Sequence, residues 1–394
     1  MTRPSALSTG RRSSDALLRV VRSFPEPAAL DWSVIDGARF VAQAEYHRVG
    51  CLLRASLTVG SDVPAKISAY SKAANARWQF TTGRVDADLV RLHDALGTLE
   101  QPWLVVKGPA LEALAYRGGR RDYRDLDLLV DGRELHAAIA AIESAGGALL
   151  DRNFELMLAM RSGELTMQMP KGTIIDLHWQ TVHTILNRRH FRIRIPDMLA
   201  RAVPVAVREV EVLTLDPTDT LIFACIHACL SGADRLLWFK DIELLLRHTK
   251  WCPDLLVTRS RDARVGLVVA LMLQRADSLL HLEVDHGLIR QLDKHRAWQA
   301  GGAMLNRWVS PQQRERGRSD RAFFAATRTN ARDSLLELVR KGVGDRRSAA
   351  DAAHPWRSYR VEGNPLHQDL DSGSRAHYFE AARAETQSQV RQVS

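Results

Sequence analysis

Apolar residues recur at helical spacing near the start of the chain. They run through Leu17, Leu18, Val20 and Val21, then through Val41, Tyr46, Val49, Leu52 and Leu53, which predicts amphipathic helices over residues 14–60. Pro64 opens a stretch to Leu99 with no other proline and little glycine, so one long helix or two abutting ones should begin there. The period changes after Gln101-Pro102. Trp103-Leu-Val-Val106, bounded by Pro102 and Lys107-Gly108-Pro109, reads as a short buried strand, followed by a helix over 109–116. Leu126-Asp-Leu-Leu-Val130 is a second strand, and 132–145 a helix ending at Gly146-Gly147. Further strands are predicted at Glu164–Met169, Thr173–Trp179 and Val205–Leu213, with a tight turn at Lys171-Gly172.

From Pro217 onward the pattern is helical again. Leu221–Leu230, Leu236–Leu246 and Val265–Leu282 carry apolar faces at i, i+3 and i+4. An amphipathic segment, Ala331–Val339, lies among many arginines. The chain divides into a flexible N-terminus (1–13), an N-terminal helical region (14–100), an α/β core (101–215), a C-terminal helical region (216–345) and a disordered tail (346–394). That tail is expected because few aliphatic residues occur among its Pro, Ser, Gln, His and Arg. No internal repeat is visible.

Composition narrows the class. With 394 residues, 45% hydrophobic and 26% charged, the chain can bury a sizeable core without disulfides. Its four cysteines, Cys51, Cys225, Cys229 and Cys252, form no CxxC pair, which suits a reducing compartment. The polar N-terminus makes a poor secretory signal, and no apolar run approaches the ~20 residues of a membrane span. A cytoplasmic protein without membrane partners is expected. The net charge of +9 favours acidic partners such as nucleotides or nucleic acid, although an arginine-rich composition produces the same value without function.

The candidate chemistry centres on Arg124-Asp125-Leu-Asp127-Leu-Leu-Val130. Alternate residues of a strand share a face, so Asp125 and Asp127 project together. Paired carboxylates repel and are costly to desolvate unless a cation compensates, and magnesium suits them because it takes carboxylate oxygens along with water and phosphate. Asp176, set into the apolar strand Thr173-Ile-Ile-Asp-Leu-His-Trp179, adds a third carboxylate, with His178 on its face. Three such groups can hold two Mg2+ ions, one orienting a triphosphate and the other lowering the pKa of an attacking hydroxyl. Upstream, Lys107-Gly108 joins a buried strand to a helix. Glycine there permits close backbone approach to phosphate, the helix N-terminus offers free N–H groups, and Lys107 adds positive charge. Without that upstream order of parts, the DxD pattern reads equally as a surface edge or as acids paired with nearby arginines.

The run from Lys107-Gly108 through Tyr116 and Arg121 to Asp125-Leu-Asp-Leu-Leu-Val130 resembles the nucleotidyltransferase superfamily that includes DNA polymerase β. It is most similar to the bacterial branch described as uncharacterised nucleotidyltransferases, with a pattern of KG, helix, R and DxDxLV. Asp176-Leu-His-Trp179 resembles that branch's downstream acidic strand, and His227 with Trp238-Phe-Lys-Asp241 its helical H…WxxD segment. The resemblance spans roughly residues 100–250. It implies an α+β fold with a small mixed β-sheet core, helices packed on it, and helical regions on both sides. It also implies transfer of a nucleoside monophosphate from an NTP to an acceptor. Asp125, Asp127 and Asp176 would be the catalytic and metal-binding residues, and Lys107, Gly108 and Arg121 would bind the nucleotide. One departure is Pro109, which follows Gly108 where the superfamily has serine or glycine and which has no N–H for phosphate.

Other residues read both ways. Arg121 and Arg124 can bind phosphate or form structural ion pairs, and the family pattern favours Arg121 for phosphate. His178 can orient Asp176 or simply satisfy the core. His227 cannot share a helix face with Cys225 and Cys229, so these cysteines read as buried small apolar residues rather than zinc ligands. Trp238 and Asp241 line a pocket or cap the helical region. Arginines 314–321 offer a polyanion surface or a solvated face. The acceptor is open between a small molecule, a peptide, a protein side chain and an RNA end. The competing function is a non-catalytic nucleotide-binding or interaction module that keeps the fold.

Overall fold

The computed structural model describes residues 6–56, 62–308, 321–348, 364–369 and 373–391. Four helices precede the first strand: α1 (Ala6–Ser23), α2 (Gly37–Tyr46), α3 (Leu53–Ser56) and α4 (Ala65–Leu96). The α1 stripe Leu17, Leu18, Val20 and Val21 is buried, as its spacing predicts. Helix α2 starts at Asp36, whose carboxylate accepts from the Ala38 and Arg39 amides and so satisfies two otherwise orphan donors. Pro64 precedes the single 32-residue helix α4, roughly 48 Å long. Its Val85, Leu89, Leu92 and Leu96 lie in the core beneath the sheet.

The central segment alternates strands and helices: β1 (Leu104–Val105), α5 (Gly108–Ala115), β2 (Asp125–Leu129), α6 (Leu135–Ser144), β3 (Ala148–Leu149), α7 (Phe154–Met160), β4 (Glu164–Gln168) and β5 (Ile174–His178). These strands form one mixed sheet in the order β1-β2-β5-β4-β3. Strands β2 and β5 pair in parallel, and the other neighbours are antiparallel. Two short helices, α8 (Ile185–Arg188) and α9 (Ile195–Ala200), lead to a separate hairpin, β6 (Val203–Val207) and β7 (Val210–Thr214). The apolar run over 205–213 is therefore two strands, turned at Arg208 with φ 55°. Strand β3 and helix α7 are too short or too weakly periodic to have been predicted.

The alternation along β2 assigns its faces. Leu126, Leu128 and Val130 join Ile175 and Leu177 in a core covered by α4, α6 and the last helix. Asp125, Asp127 and Leu129 point the other way. Burying each leucine is worth ~1.5–3 kcal/mol, enough to hold a strand whose opposite face carries repelling carboxylates.

Among the described residues nine helices lie beyond the hairpin, the first seven being α10 (Pro217–Leu230), α11 (Leu236–His248), α12 (Pro253–Asp262), α13 (Gly266–Leu280), α14 (His286–Leu292), α15 (Arg296–Trp308) and α16 (Arg321–Ala325). Asp216 caps α10 through the Thr218 and Asp219 amides. The α10, α11 and α13 cores merge with α1 and α2 into one hydrophobic cluster. The two helical regions flanking the core in sequence are thus one helical body in space. Cys225 and Cys229 are buried in it, as expected of small apolar residues.

Two expectations need correction. Helix α1 begins inside the stretch expected to be a flexible N-terminus, and Ser13 and Ser14 are fully buried. After α17 (Ala331–Ser348), part of the expected disordered tail is α18 (Gly373–Arg391), which buries Tyr378, Ala382 and Thr386. Sparse aliphatic content is misleading here, because aromatic and small residues supply the buried face. The arginines at 314, 316 and 318 lie outside the described residues, as does most of 346–372. Among the described residues no helix is long and apolar enough to cross a membrane.

Candidate active site

The face of the sheet away from α4 and α6 carries the carboxylates. In the β2/β5 ladder, Asp127 lies directly opposite Asp176, and Leu129 opposite His178. Across β5 and β4, Thr166 faces Asp176 and Glu164 faces His178. Register partners share a face, so Asp125, Asp127, Asp176, His178 and Glu164 come together from three strands. The three sequence-predicted aspartates are one cluster.

Charge compensation is uneven. Asp127 receives the Lys107 ammonium and, at 3.1 Å, His178 Nε2. Burial disfavours its charge, yet these two cations hold it below the usual carboxylate range. His178 presents its other nitrogen, Nδ1, to Glu164 at 3.0 Å, and His183 Nδ1 reaches the second Glu164 oxygen at 3.0 Å. With an acid at each ring nitrogen, and despite burial, His178 is raised to about 9 and both N–H groups donate. Asp125 and Asp176 are compensated far less. Burial, then repulsion from Asp127, raises Asp125. Burial and repulsion from Asp125, Asp127 and Glu164 raise Asp176 well above its ordinary value, with only a 3.4 Å contact from Thr166 Oγ1.

That imbalance tests the fit of a divalent cation. Among the described residues no three His, Cys, Asp or Glu side chains already converge in a metal-holding arrangement. The donor chemistry fits nonetheless. Three desolvated carboxylates repel one another on one face, and a hard, oxygen-seeking ion relieves that repulsion.

Around the cluster, Lys107 lies between β1 and α5. Gly108 has φ 51°, a left-handed conformation, and a Cβ there would stand 3.4 Å from the Asp125 carbonyl oxygen. This turn brings Lys107 against Asp127, with its ammonium 5.7 Å from the centre of the Phe223 ring. Pro109 occupies the first turn of α5, so one amide that could face an anion is missing.

Arg121 is placed otherwise than as a free phosphate ligand. Its Nε and Nη2 form a buried bidentate pair with Asp241, both at 2.8 Å, and Tyr116 donates to the same carboxylate at 2.7 Å. The family-like Arg121 and WxxD segments meet in this clamp. Lys107, Arg121, Phe223, His227, Trp238 and Asp241 line a narrow cleft between the sheet and α10/α11. Burial, then the Lys107 charge, keeps His227 neutral. Its ring meets Trp238 edge-on, with centroids 5.4 Å apart.

Sequence reasoning missed Glu164 and His183, and it aimed His178 at Asp176 rather than Asp127. A usable signal existed for Glu164. Glu164, Thr166 and Gln168 alternate with Leu165 and Met167, so β4 carries a polar face that must meet something polar.

A family model described as "Uncharacterised nucleotidyltransferase" matches residues 33–281. No curated protein and no solved structure matches the chain.

Proposed function

Because the chain belongs to the uncharacterised nucleotidyltransferase family, we propose that it transfers a nucleoside monophosphate from an NTP to an acceptor hydroxyl. Placement in the polymerase β type superfamily and a cytoplasmic location are part of this reading. The observation that carries it is the convergence of Asp125, Asp127 and Asp176 on one sheet face beside Lys107. Asp125, Asp127 and Asp176 would hold magnesium, two ions in the fullest form, which would neutralise the triphosphate and acidify the acceptor hydroxyl.

The remaining work falls to side chains of the cleft. Lys107, paired with Asp127 at the mouth of the Gly108 turn, supplies positive charge to the phosphate undergoing substitution. The left-handed Gly108 lets the backbone approach that phosphate without a side chain intervening. Asp176, which would be ionised once a bound cation offsets the repulsion from Asp125 and Asp127, is the group to receive the acceptor hydroxyl's proton. His178, fixed by Glu164, keeps Asp127 ionised and oriented. Arg121, spent on Asp241, holds the cleft wall in place. Catalysis of this kind rests on positioning and electrostatics.

The experiment is pyrophosphate release from each of the four NTPs with magnesium and cell extract as acceptor source, comparing wild type with Asp125→Ala/Asp127→Ala. Release that requires extract and disappears in the folded variant supports transfer. NTP binding with no release across many acceptors would favour a nucleotide-binding module. Equal release from wild type and variant would sink the assignment of these carboxylates.

A further inference from the structure

Among the described residues two arginines beside this cleft carry charge that no carboxylate pairs. Arg48 follows the C-terminus of α2 and has φ 53°, a left-handed conformation uncommon for a branched-chain or long side chain. Arg235 is the residue before α11. The two are brought together because the end of α2 docks on the start of α11: the Leu236 amide donates to His47 Nδ1 at 3.3 Å, and the Tyr46 hydroxyl donates to Asp234. Asp234 is further engaged by Arg321 at 3.0 Å. The Arg235 guanidinium lies 5.7 Å from the centre of the Tyr46 ring and 5.5 Å from that of Trp238, which itself lines the cleft. Among the described residues neither Arg48 nor Arg235 makes a side-chain hydrogen bond or ion pair.

Both are half-buried and close enough to repel each other. Burial, then the neighbouring Arg48, pushes Arg235 down to about 10. Burial likewise lowers Arg48, while Asp125 is the first carboxylate to pull against it. Two desolvated like charges without an ion pair are costly, and an anion shared between them relieves both costs. Asp125, Arg124, Asp122 and Arg121 are the charged groups that act on Arg48, which sets it beside the Asp125 end of β2. Cations here would supply positive charge that the Gly108 turn lacks, since Pro109 withholds a backbone N–H.

We propose that Arg48 and Arg235 bind the terminal phosphates of the nucleotide, forming a guanidinium clamp across the cleft from Asp125. This rests on the nucleotidyl-transfer reading and assigns the leaving pyrophosphate to residues of the helical body. Arginine suits the task because its planar fork pairs two oxygens of a phosphate at once.

Inorganic triphosphate, which has no base or sugar, is the probe. Calorimetry without magnesium compares wild type, Arg48→Gln, Arg235→Gln and the double variant, each checked by thermal unfolding. Each single change is expected to weaken binding about tenfold and the double change about a hundredfold, while AMP affinity is unaltered. If Arg48→Gln fails to fold, Arg48→Lys and Arg235→Gln carry the comparison, with Lys expected to retain part of the affinity. Equal triphosphate binding by wild type and folded variants overturns the clamp and leaves the nucleotide reading intact. Loss of binding to a short RNA with triphosphate affinity unchanged overturns it in favour of acceptor phosphates. Wild-type protein that binds neither triphosphate nor any NTP with magnesium overturns clamp and nucleotide reading together.

Discussion

Asp127 is the residue on which the site turns, because two cations compensate it while it repels Asp125 and Asp176. Lys107 reaches it only through the left-handed turn at Gly108. An alanine there would carry a φ of 51° that L-residues avoid at a cost of ~1–2 kcal/mol. Its Cβ would also rest against the Asp125 backbone. Gly108→Ala is therefore expected to lower unfolding free energy by that amount in denaturant titration. It should cut NMP transfer further than a folded-fraction correction explains, because Lys107 is displaced. Full activity in a measurably destabilised variant would separate the turn from catalysis. Glu164 acts at the same scale, since it sets the charge of His178 and His183 without touching an aspartate of the cluster.

Between elements, the decisive contact is the docking of α11 on the turn before β2 through Arg121, Asp241 and Tyr116. Removing one partner leaves a buried charge unpaired, which costs ~3–5 kcal/mol, whereas replacing both with apolar residues can be nearly neutral. Asp241→Ala should therefore destabilise strongly, and Arg121→Met/Asp241→Leu should recover most of the loss in a double-mutant cycle. Similar stability for single and double variants would mean that the pair is solvated. This clamp also marks what was readable in the chain. The DxD strand, the Gly108 turn, the long α4 and the apolar faces of α10, α11 and α13 follow from periods of two and 3.6, which a sequence carries locally. That Arg121 meets Asp241 across 120 positions does not, because a partner so distant leaves no local pattern. Arg48 escaped for the same reason. It follows α2 in the N-terminal region, and only packing of α1 and α2 against α11 and α13 brings it to the start of α11.

Over the whole molecule, the last helices return to the core and close it. Arg328 is fully buried and pairs with Glu337 at 3.1 Å while donating to Asn187 Oδ1 at 2.6 Å, which ties α17 to the segment after β5. Arg340 and Arg328 hold the Glu337 carboxyl below its ordinary value against burial. The sign follows from that depression: the stabilisation is present above the unfolded-state value of ~4.3 and is lost as pH falls through the folded one. Glu337→Gln should therefore be less stable than wild type at pH 7, with the gap narrowing in acid; a gap constant from pH 7 to pH 3 would exclude the linkage. Helix α18 closes the other side. The Tyr378 hydroxyl donates to the Ser162 carbonyl at 2.8 Å and accepts from Trp179 Nε1 at 3.0 Å. Gly132, just after β2, leaves room for that helix, since a Cβ there would lie 2.3 Å from Thr386 Oγ1 and 3.0 Å from the Ala382 carbonyl. Deleting residues 370–394 uncovers Phe154 and Trp179, and Gly132→Ala pushes on the same helix without deleting anything. Both changes are expected to raise binding of a hydrophobic dye and to lower the unfolding temperature. Limited proteolysis of Gly132→Ala should release a C-terminal fragment that wild type retains. Because β2 carries Asp125 and Asp127 immediately before Gly132, loosening α18 should also reduce transfer. If proteolysis and dye binding match wild type in both variants, α18 is an appendage and the sheet closes without it.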